Sequence, residues 1–242
     1  MPHEVPDNLL RVHRHPERGT RERTVIDAIL DAGFVCHLGV VLEGRPVVLP
    51  TLYGRDGDRL VLHGSSAARS LRTAGMPVCV TVTLVDGLVL ARSAFHHSAN
   101  YRSVVIHGQA EAVHGDDDKR AALRVLTEHV APGRWDRLRA PTEPELRATS
   151  VLTLSLAHAT AKVRAAGLAD DPDDLDAPVW AGVVPLRTHL DDPEPDPGSA
   201  AGLAPPRWTG ASGVPAAPRT AETPDDHDDH DDRRGHREEV RR

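Results

Sequence analysis

Residues 50–69 read Pro50-Thr-Leu-Tyr-Gly-Arg-Asp-Gly-Asp-Arg-Leu-Val-Leu-His-Gly-Ser-Ser-Ala-Ala-Arg69, and this stretch decides the fold. Two apolar runs, Pro46–Tyr53 and Arg59–His63, flank the turn residues Asp56-Gly57-Asp58. This arrangement predicts a β-hairpin, because glycine and aspartate tolerate the backbone angles of tight turns. After the second strand the sequence changes to small residues, which predicts a short helix over Ser65–Thr73.

Outward from the hairpin, the period of the apolar residues separates strands from helices. Short β-branched runs predict four further strands, at Phe34–Leu42, Pro77–Val85, Val104–Val113 and Val151–Leu156. Helical spacing predicts helices at Thr24–Ala32, Asp116–Val130 and Thr142–Ala148. The tight turns between strands favour an antiparallel barrel or sandwich with flanking helices, an α+β fold.

Two helix ends carry local signals. Thr20 lies where an N-cap of the first helix is expected, and Gly33 is placed to end that helix in a left-handed turn. Thr142 and Glu145 form a Thr-x-x-Glu capping box at the start of the third helix.

The chain of 242 residues divides into three parts by composition. The three prolines of residues 1–19 predict an extended arm. Residues 20–190 carry the apolar residues of one domain. The composition of residues 191–242 predicts a disordered tail. From Asp225 the tail reads DDHDDHDDRRGHREEVRR. A loose divalent-metal site at His227, His230 and His236 is the alternative to a solvated tail, which we favour because a tight site needs preformed geometry.

Composition excludes several classes of function. Much of the formal charge of −7 lies in the tail, so nothing favours nucleic-acid binding. The sequence contains no run of eighteen apolar residues, so no membrane span is predicted. The cysteines Cys36 and Cys79 lie in apolar runs, which indicates buried reduced thiols and a cytoplasmic location. The local motifs of zinc hydrolases, P-loop proteins and serine hydrolases are absent, and no metal site is expected in the domain.

The segment from His63 to Arg69 is the strongest candidate site. A strand ends near His63 and is followed by Gly64, two serines and an arginine. A helix start with free backbone N–H groups, the hydroxyls of Ser65 and Ser66, and the guanidinium of Arg69 would form a phosphate seat. The alternative is that a serine only caps the helix and Arg69 is a solvated charge.

Three motifs in order resemble the pyridoxamine 5'-phosphate oxidase superfamily, and within it the nitroimidazole-resistance-like branch. They are Pro50–Arg69, Asn100-Tyr-Arg-Ser-Val-Val-Ile-His-Gly108 and Val179-Trp-Ala-Gly-Val-Val-Pro-Leu-Arg187. The resemblance covers roughly residues 15–190. It implies an antiparallel six-stranded split β-barrel with flanking helices, a homodimer, and FMN bound in a cleft between subunits.

The resemblance also implies roles for individual residues. Arg69 would pair with the FMN phosphate beside Gly64, Ser65 and Ser66, and Trp180 would cover the flavin from the partner chain. His63 would face the cofactor, where it hydrogen-bonds the flavin or acts catalytically on substrate; a buried structural histidine is the alternative. The remaining expected contacts are Pro50 and Thr51 along the isoalloxazine edge, and Arg102 and Ser103 from a neighbouring strand.

Departures from the family pattern limit the function. The segment Val48–Tyr53 lacks the lysine and arginines that the true oxidases carry, so pyridoxal phosphate synthesis is not expected. His96, His97 and His107 lie near the second motif and could ligate haem, as in some split-barrel relatives, although adjacent histidines in a strand point to opposite faces.

The preferred prediction is an FMN-dependent oxidoreductase for a small organic substrate, for example a nitroaromatic or quinone-like acceptor. The alternatives are a non-catalytic flavin or haem storage or sensing protein and a reductase using the deazaflavin F420.

Overall fold

The computed structural model describes residues 5–68, 73–199 and 202–206, which contain three α-helices and ten strands. The helices are α1 (Arg23–Ala32), α2 (Asp116–Val130) and α3 (Glu143–Ala148). The strands are β1 (Gly19–Thr20), β2 (Val35–Leu42), β3 (Arg45–Asp56), β4 (Arg59–Ser65), β5 (Pro77–Leu90), β6 (Ser98–Gln109), β7 (Glu111–Ala112), β8 (Thr149–Ser155), β9 (Ala159–Arg164) and β10 (Gly182–Pro185).

All strand pairs are antiparallel, in the order β1-β9-β6-β5-β2-β3-β4-β8-β7, and β10 pairs with β5. The predicted α+β fold with an antiparallel split barrel is confirmed. The described part of the sheet has ten strands instead of the predicted six. Three of the additional strands, β1, β7 and β10, contain only two to four residues, too few to show a period in the sequence.

The barrel core consists of the alternate side chains of the long strands. Leu38, Val80 and Ile106 are among those almost inaccessible to solvent. Burial of each such side chain contributes about 1.5–3 kcal/mol. A Cβ built on Gly108 of β6 would lie 2.9 Å from Leu154 Cδ1 of β8, so these strands meet across the interior.

The ends of α1 differ from the prediction. Thr20 belongs to β1, and the N-cap residue is Glu22, whose backbone N–H donates to Thr20 Oγ1 at 3.0 Å. Gly33 is extended, with φ of −102°, and does not form a left-handed turn. It is needed for space, because a Cβ there would lie 2.8 Å from Tyr53 Oη.

Of the two short helices predicted from the sequence, one is confirmed and the other is not seen in its described part. The capping box of α3 is confirmed, with both reciprocal hydrogen bonds between Thr142 and Glu145 formed. The helix predicted over Ser65–Thr73 is not seen in its described part, where Ser65 ends β4 and Ser66 and Ala67 form a turn. Residues 69–72 lie outside the described residues.

Residues 5–18 lie against their own barrel. Leu10 is buried, and its carbonyl accepts a hydrogen bond from Thr160 Oγ1. Lys162 Nζ donates to the Arg14 carbonyl at 2.8 Å. These contacts anchor the segment to β9. No helix in the described part of the chain combines the length and hydrophobicity that a membrane crossing requires.

Candidate functional site

The barrel splits at β3, which changes its partner at Tyr53. Up to Leu52 the strand pairs with β2, and from Tyr53 to Asp56 it pairs with β4. The β3–β4 pairing ends at Leu62, after which β4 pairs only with β8. The first half of β3 and the end of β4 therefore diverge from a shared hairpin. The predicted site residues Pro50, Thr51 and His63–Ser65 lie on the two sides of this divergence.

The outward side of β2 and of the first half of β3 is unusually apolar. Directly opposite residues of antiparallel strands share a face, and His37 lies opposite Pro50 in this register. Val48 is 63% exposed and Val41 is 53% exposed. We call this surface the outer sheet face; its residues are Val35, His37, Val41, Val48, Pro50 and Leu52. Such an exposed apolar surface is typical of a binding site.

His63 is at the edge of the outer sheet face. Its strand neighbour Leu62 belongs to the barrel core, so the His63 side chain is on the opposite face, as is Val61, which packs with α2. The ring is half-buried, and its Nδ1 atom is buried without a hydrogen-bond partner among the described residues. Burial lowers the pKa of His63, so the neutral imidazole is favoured at neutral pH.

The turn after β4 uses its backbone donors internally. The Ser66 N–H donates to the Ala148 carbonyl at 2.8 Å, and the Ala68 N–H donates to the Ser65 carbonyl at 2.9 Å. Ser65 Oγ accepts from the Ala67 N–H at 3.2 Å. The predicted seat with free backbone N–H groups is therefore absent from residues 66–68. Arg69, the predicted phosphate partner, lies outside the described residues.

Arg102 and Ser103 are adjacent on β6 and point to opposite faces of the sheet. The Arg102 guanidinium forms a bidentate pair with Asp86, with N–O distances of 2.7 and 2.8 Å. Its Nη1 atom is buried without a partner in the described part of the chain. Ser103 Oγ donates to the Lys162 carbonyl at 3.4 Å. Only one of the two residues can therefore face a given ligand, and the charge of Arg102 is already compensated.

Trp180 is 67% exposed, although aromatic residues make up only 3% of the chain. A Cβ at Gly182 would lie 2.8 Å from Trp180 Cζ2, so the indole lies over this glycine. Gly182 begins β10, which is paired with β5 at Leu90. The sheet thus holds the indole at the surface, available to another molecule.

The histidines suggested for haem occupy different environments. His96 and His97 lie in the turn between β5 and β6 and not in a strand. His96 Nε2 is 3.2 Å from Asp171 Oδ2, and the His97 ring bonds the Ser93 carbonyl. His107 lies on β6, where burial and the nearby His158 lower its pKa. Among the described residues no three His, Cys, Asp or Glu side chains are grouped as a metal site.

Two features of the site were missed from sequence. His37 was not singled out, although alternation along β2 already places it on the same face as Val35. The Asp86 partner of Arg102 was also missed. The two residues lie on neighbouring strands, where a register shift between Val85 and Gly87 interrupts the pairing.

A β3 strand that changes its partner, contact between β6 and β8 across the interior, and an exposed apolar sheet face beside the split define a split β-barrel. Residues 22–163 match the family model described as pyridoxamine 5'-phosphate oxidase. The chain belongs to the pyridoxamine 5'-phosphate oxidase family.

Three solved structures show the range of the similarity. The flavocytochrome Anf3 from Azotobacter vinelandii is 40% identical, with a TM-score of 0.78, covering 84% of this chain and 95% of that one. An FAD and haem binding protein from Mycobacterium smegmatis is 40% identical, with a TM-score of 0.73 and coverage of 78% and 94%. A candidate 5-nitroimidazole antibiotic resistance protein from Bacteroides thetaiotaomicron is 25% identical, with a TM-score of 0.50 and coverage of 60% and 86%. No match to a curated protein was found.

Proposed function

We propose that this protein is a redox protein that binds one flavin and one haem. The observation that carries the proposal is the 40% identity, over 84% of this chain, to a structure named as a flavocytochrome. A second relative of equal identity is named for both FAD and haem. The flavin supplies hydride and electron chemistry, and the haem supplies one-electron chemistry.

The flavin is proposed to lie along the divergence of β3 and β4. Pro50 and Thr51 offer main-chain groups on one side, and Gly64, Ser65 and Ser66 lie on the other. The sequence predicts FMN, whereas the relative named for FAD favours FAD. The backbone N–H groups of residues 66–68 are used in internal hydrogen bonds, and the proposed phosphate contacts are the side chains of Ser65, Ser66 and Arg69 that the sequence predicts.

A homodimer is proposed because the outer sheet face leaves several apolar side chains in water. Val35 is 46% exposed and Leu52 is 41% exposed, in addition to the more exposed valines of this face. Covering such a surface with a second copy removes it from water, at about 25 cal/mol per Å². Trp180 of the second copy is the proposed cover of the flavin, since its indole is exposed on a sheet-anchored segment.

The haem proposal requires a nitrogen ligand and an apolar surface, and the residues present fit both needs. The neutral imidazole of His63 has a buried ring nitrogen without a partner in the described region. The part of the outer sheet face next to it, around Pro50, offers apolar surface to a porphyrin, and the second copy would cover the part towards Val41 and Val48.

The test is ligand identification on freshly purified protein. We expect flavin absorbance together with a Soret band, and release of FAD or FMN and haem in chromatography with mass spectrometry. Size-exclusion chromatography with light scattering should give a dimer. Colourless protein that takes up neither flavin nor hemin would overturn the proposal, and release of F420 would assign the alternative cofactor.

Oxidoreductase activity on nitroaromatic compounds is the second candidate, favoured by the 25% identity to the candidate 5-nitroimidazole resistance protein. Anaerobically reduced protein should then be reoxidised by a nitroimidazole in stopped-flow absorbance. If the nitro compound leaves the reduced spectrum unchanged while dioxygen reoxidises it, this substrate class is wrong.

A further inference from the structure

Two imidazoles lie on the same side of the sheet where the barrel splits. His37 is on β2, opposite Pro50, and His63 is on β4, one residue past the last β3–β4 pair. We propose that His63 is an axial ligand of the haem and that His37 is the second. This inference rests on the proposed function, which names haem but assigns no ligand pair.

The described surroundings of His63 fit a haem ligand. A haem ligand needs a ring nitrogen that no other protein group already occupies. The buried Nδ1 atom has no partner among the described residues, and leaving a buried polar atom unpaired is unfavourable. The barrel core and α2 already occupy the sides of Leu62 and Val61, so a ligand approaches from the outer sheet face.

The location of His37 on β2 fits the second haem ligand. It is exposed in the middle of the outer sheet face, flanked on β2 by Val35 and opposite Pro50. Only β3 separates β2 from β4, so strand spacing puts the backbones of His37 and His63 at least roughly 10 Å apart across the sheet. Both side chains leave the same face of the sheet, so one haem on that face could be held by both. Exposed apolar side chains between them suit a porphyrin edge.

The other candidate histidines are less suitable. His96 is paired with Asp171, and His97 is held in a turn by the Ser93 carbonyl. His107 lies on β6 beside His158, with Cys79 as its cross-strand neighbour, and so faces polar groups. The His129 ring donates from Nε2 to the Gly33 carbonyl inside the fold. His107 is therefore the natural control for a half-buried histidine outside the split.

The experiment compares haem binding by wild-type protein and the variants His63→Ala, His63→Gln, His37→Ala and His107→Ala. Each is depleted of haem and titrated with hemin, with the Soret band and electron paramagnetic resonance as readouts. We expect both His63 variants to bind hemin at least tenfold more weakly. His37→Ala should keep haem but change from six-coordinate low spin to five-coordinate high spin, and added imidazole should restore low spin. His107→Ala should match the wild type.

The outcomes separate this inference from the proposed function. If the wild type binds hemin and both His63 variants give the wild-type spectrum and affinity, the ligand assignment is overturned. If His107→Ala loses haem instead, the ligand lies on β6. If the wild type takes up no hemin although it contains flavin, the haem part of the proposed function fails, and the ligand assignment fails with it. Flavin content and far-UV circular dichroism verify folding, and His63→Gln keeps the side-chain volume if His63→Ala does not fold.

Discussion

The Tyr53 hydroxyl donates a 2.5 Å hydrogen bond to the backbone carbonyl of Leu30, in the last turns of α1. Tyr53 is also the residue at which β3 leaves β2 and joins β4. Its ring centroid is 4.9 Å from that of His129 on α2. One buried side chain therefore connects both long helices to the strand that forms the split.

Replacing Tyr53 by Phe tests this connection. The variant leaves the Leu30 carbonyl without its buried partner, and we expect a loss of about 1–3 kcal/mol in the free energy of unfolding. Urea denaturation followed by circular dichroism measures the change. The control is Tyr101→Phe, because Tyr101 makes no side-chain hydrogen bond within the described part of the chain. Equal stability of the two variants would show that the Tyr53 hydroxyl contributes little.

Gly54→Ala tests the close contact between β3 and α2. A Cβ at Gly54 would lie 3.1 Å from the backbone N and Cα atoms of Leu126, and backbone cannot move away as a side chain can. We expect a loss of about 1–3 kcal/mol in the free energy of unfolding.

Gly167→Ala is the matched control, because its Cβ would meet nothing within 4 Å. Its effect should stay within about 0.5 kcal/mol. Thermal or urea unfolding of both variants gives the comparison. A Gly54→Ala variant as stable as wild type would mean that α2 shifts freely over the sheet.

Two local signals predicted the structure correctly, although those at the ends of α1 did not. The Thr142–Glu145 capping box involves two residues three positions apart, and both of its bonds are present. The Asp56–Asp58 turn likewise joins β3 to β4. β9 was not predicted, because its sequence Ala-Thr-Ala-Lys-Val-Arg contains few β-branched residues and no strict alternation.

The candidate site depends on contacts that no local pattern contains. The split follows from β3 pairing with β2 before Tyr53 and with β4 after it. The Ser66 N–H donates to the carbonyl of Ala148, a residue more than eighty positions away in the chain. This backbone donor, predicted to be free for a phosphate, is therefore already used. The resemblance predicts the site within residues 50–69, and the hydrogen bonds of residues 66–68 show which backbone N–H groups of this segment are already used.

The two cysteines are expected to react slowly in the native protein. Burial raises the pKa of Cys36 to about 12 and also raises the pKa of Cys79. Because the thiolate is the reactive form, Ellman's reagent at pH 8 should modify Cys36 only when urea unfolds the chain. A Cys79→Ser variant isolates the signal of Cys36. Rapid labelling of native Cys79→Ser would contradict the burial of Cys36.

The raised pKa of Cys36 also predicts that the folded protein loses stability at alkaline pH. The unfolded Cys36 thiol ionises near pH 9, whereas the folded one stays neutral to about pH 12. The contribution of this thiol to stability is therefore complete below about pH 9 and is lost as the pH rises towards 12. Cys36→Ala should show a weaker decline in the free energy of unfolding between these values than wild type.

His63 should make the haem-free protein sensitive to mild acid. Its folded pKa lies below the ordinary value of 6.5 because of burial, so the unfolded chain takes up a proton first as the pH falls. The stability contributed by this residue is present above about pH 6.5 and is lost as the pH falls through the folded pKa. Between pH 7.5 and 5, the free energy of unfolding should decline less steeply in His63→Gln than in wild type, measured by urea denaturation at each pH. His114→Gln, at an exposed histidine, is the control for the substitution itself. If the His63→Gln and wild-type slopes coincide, His63 is solvated in the haem-free protein, which would contradict its burial.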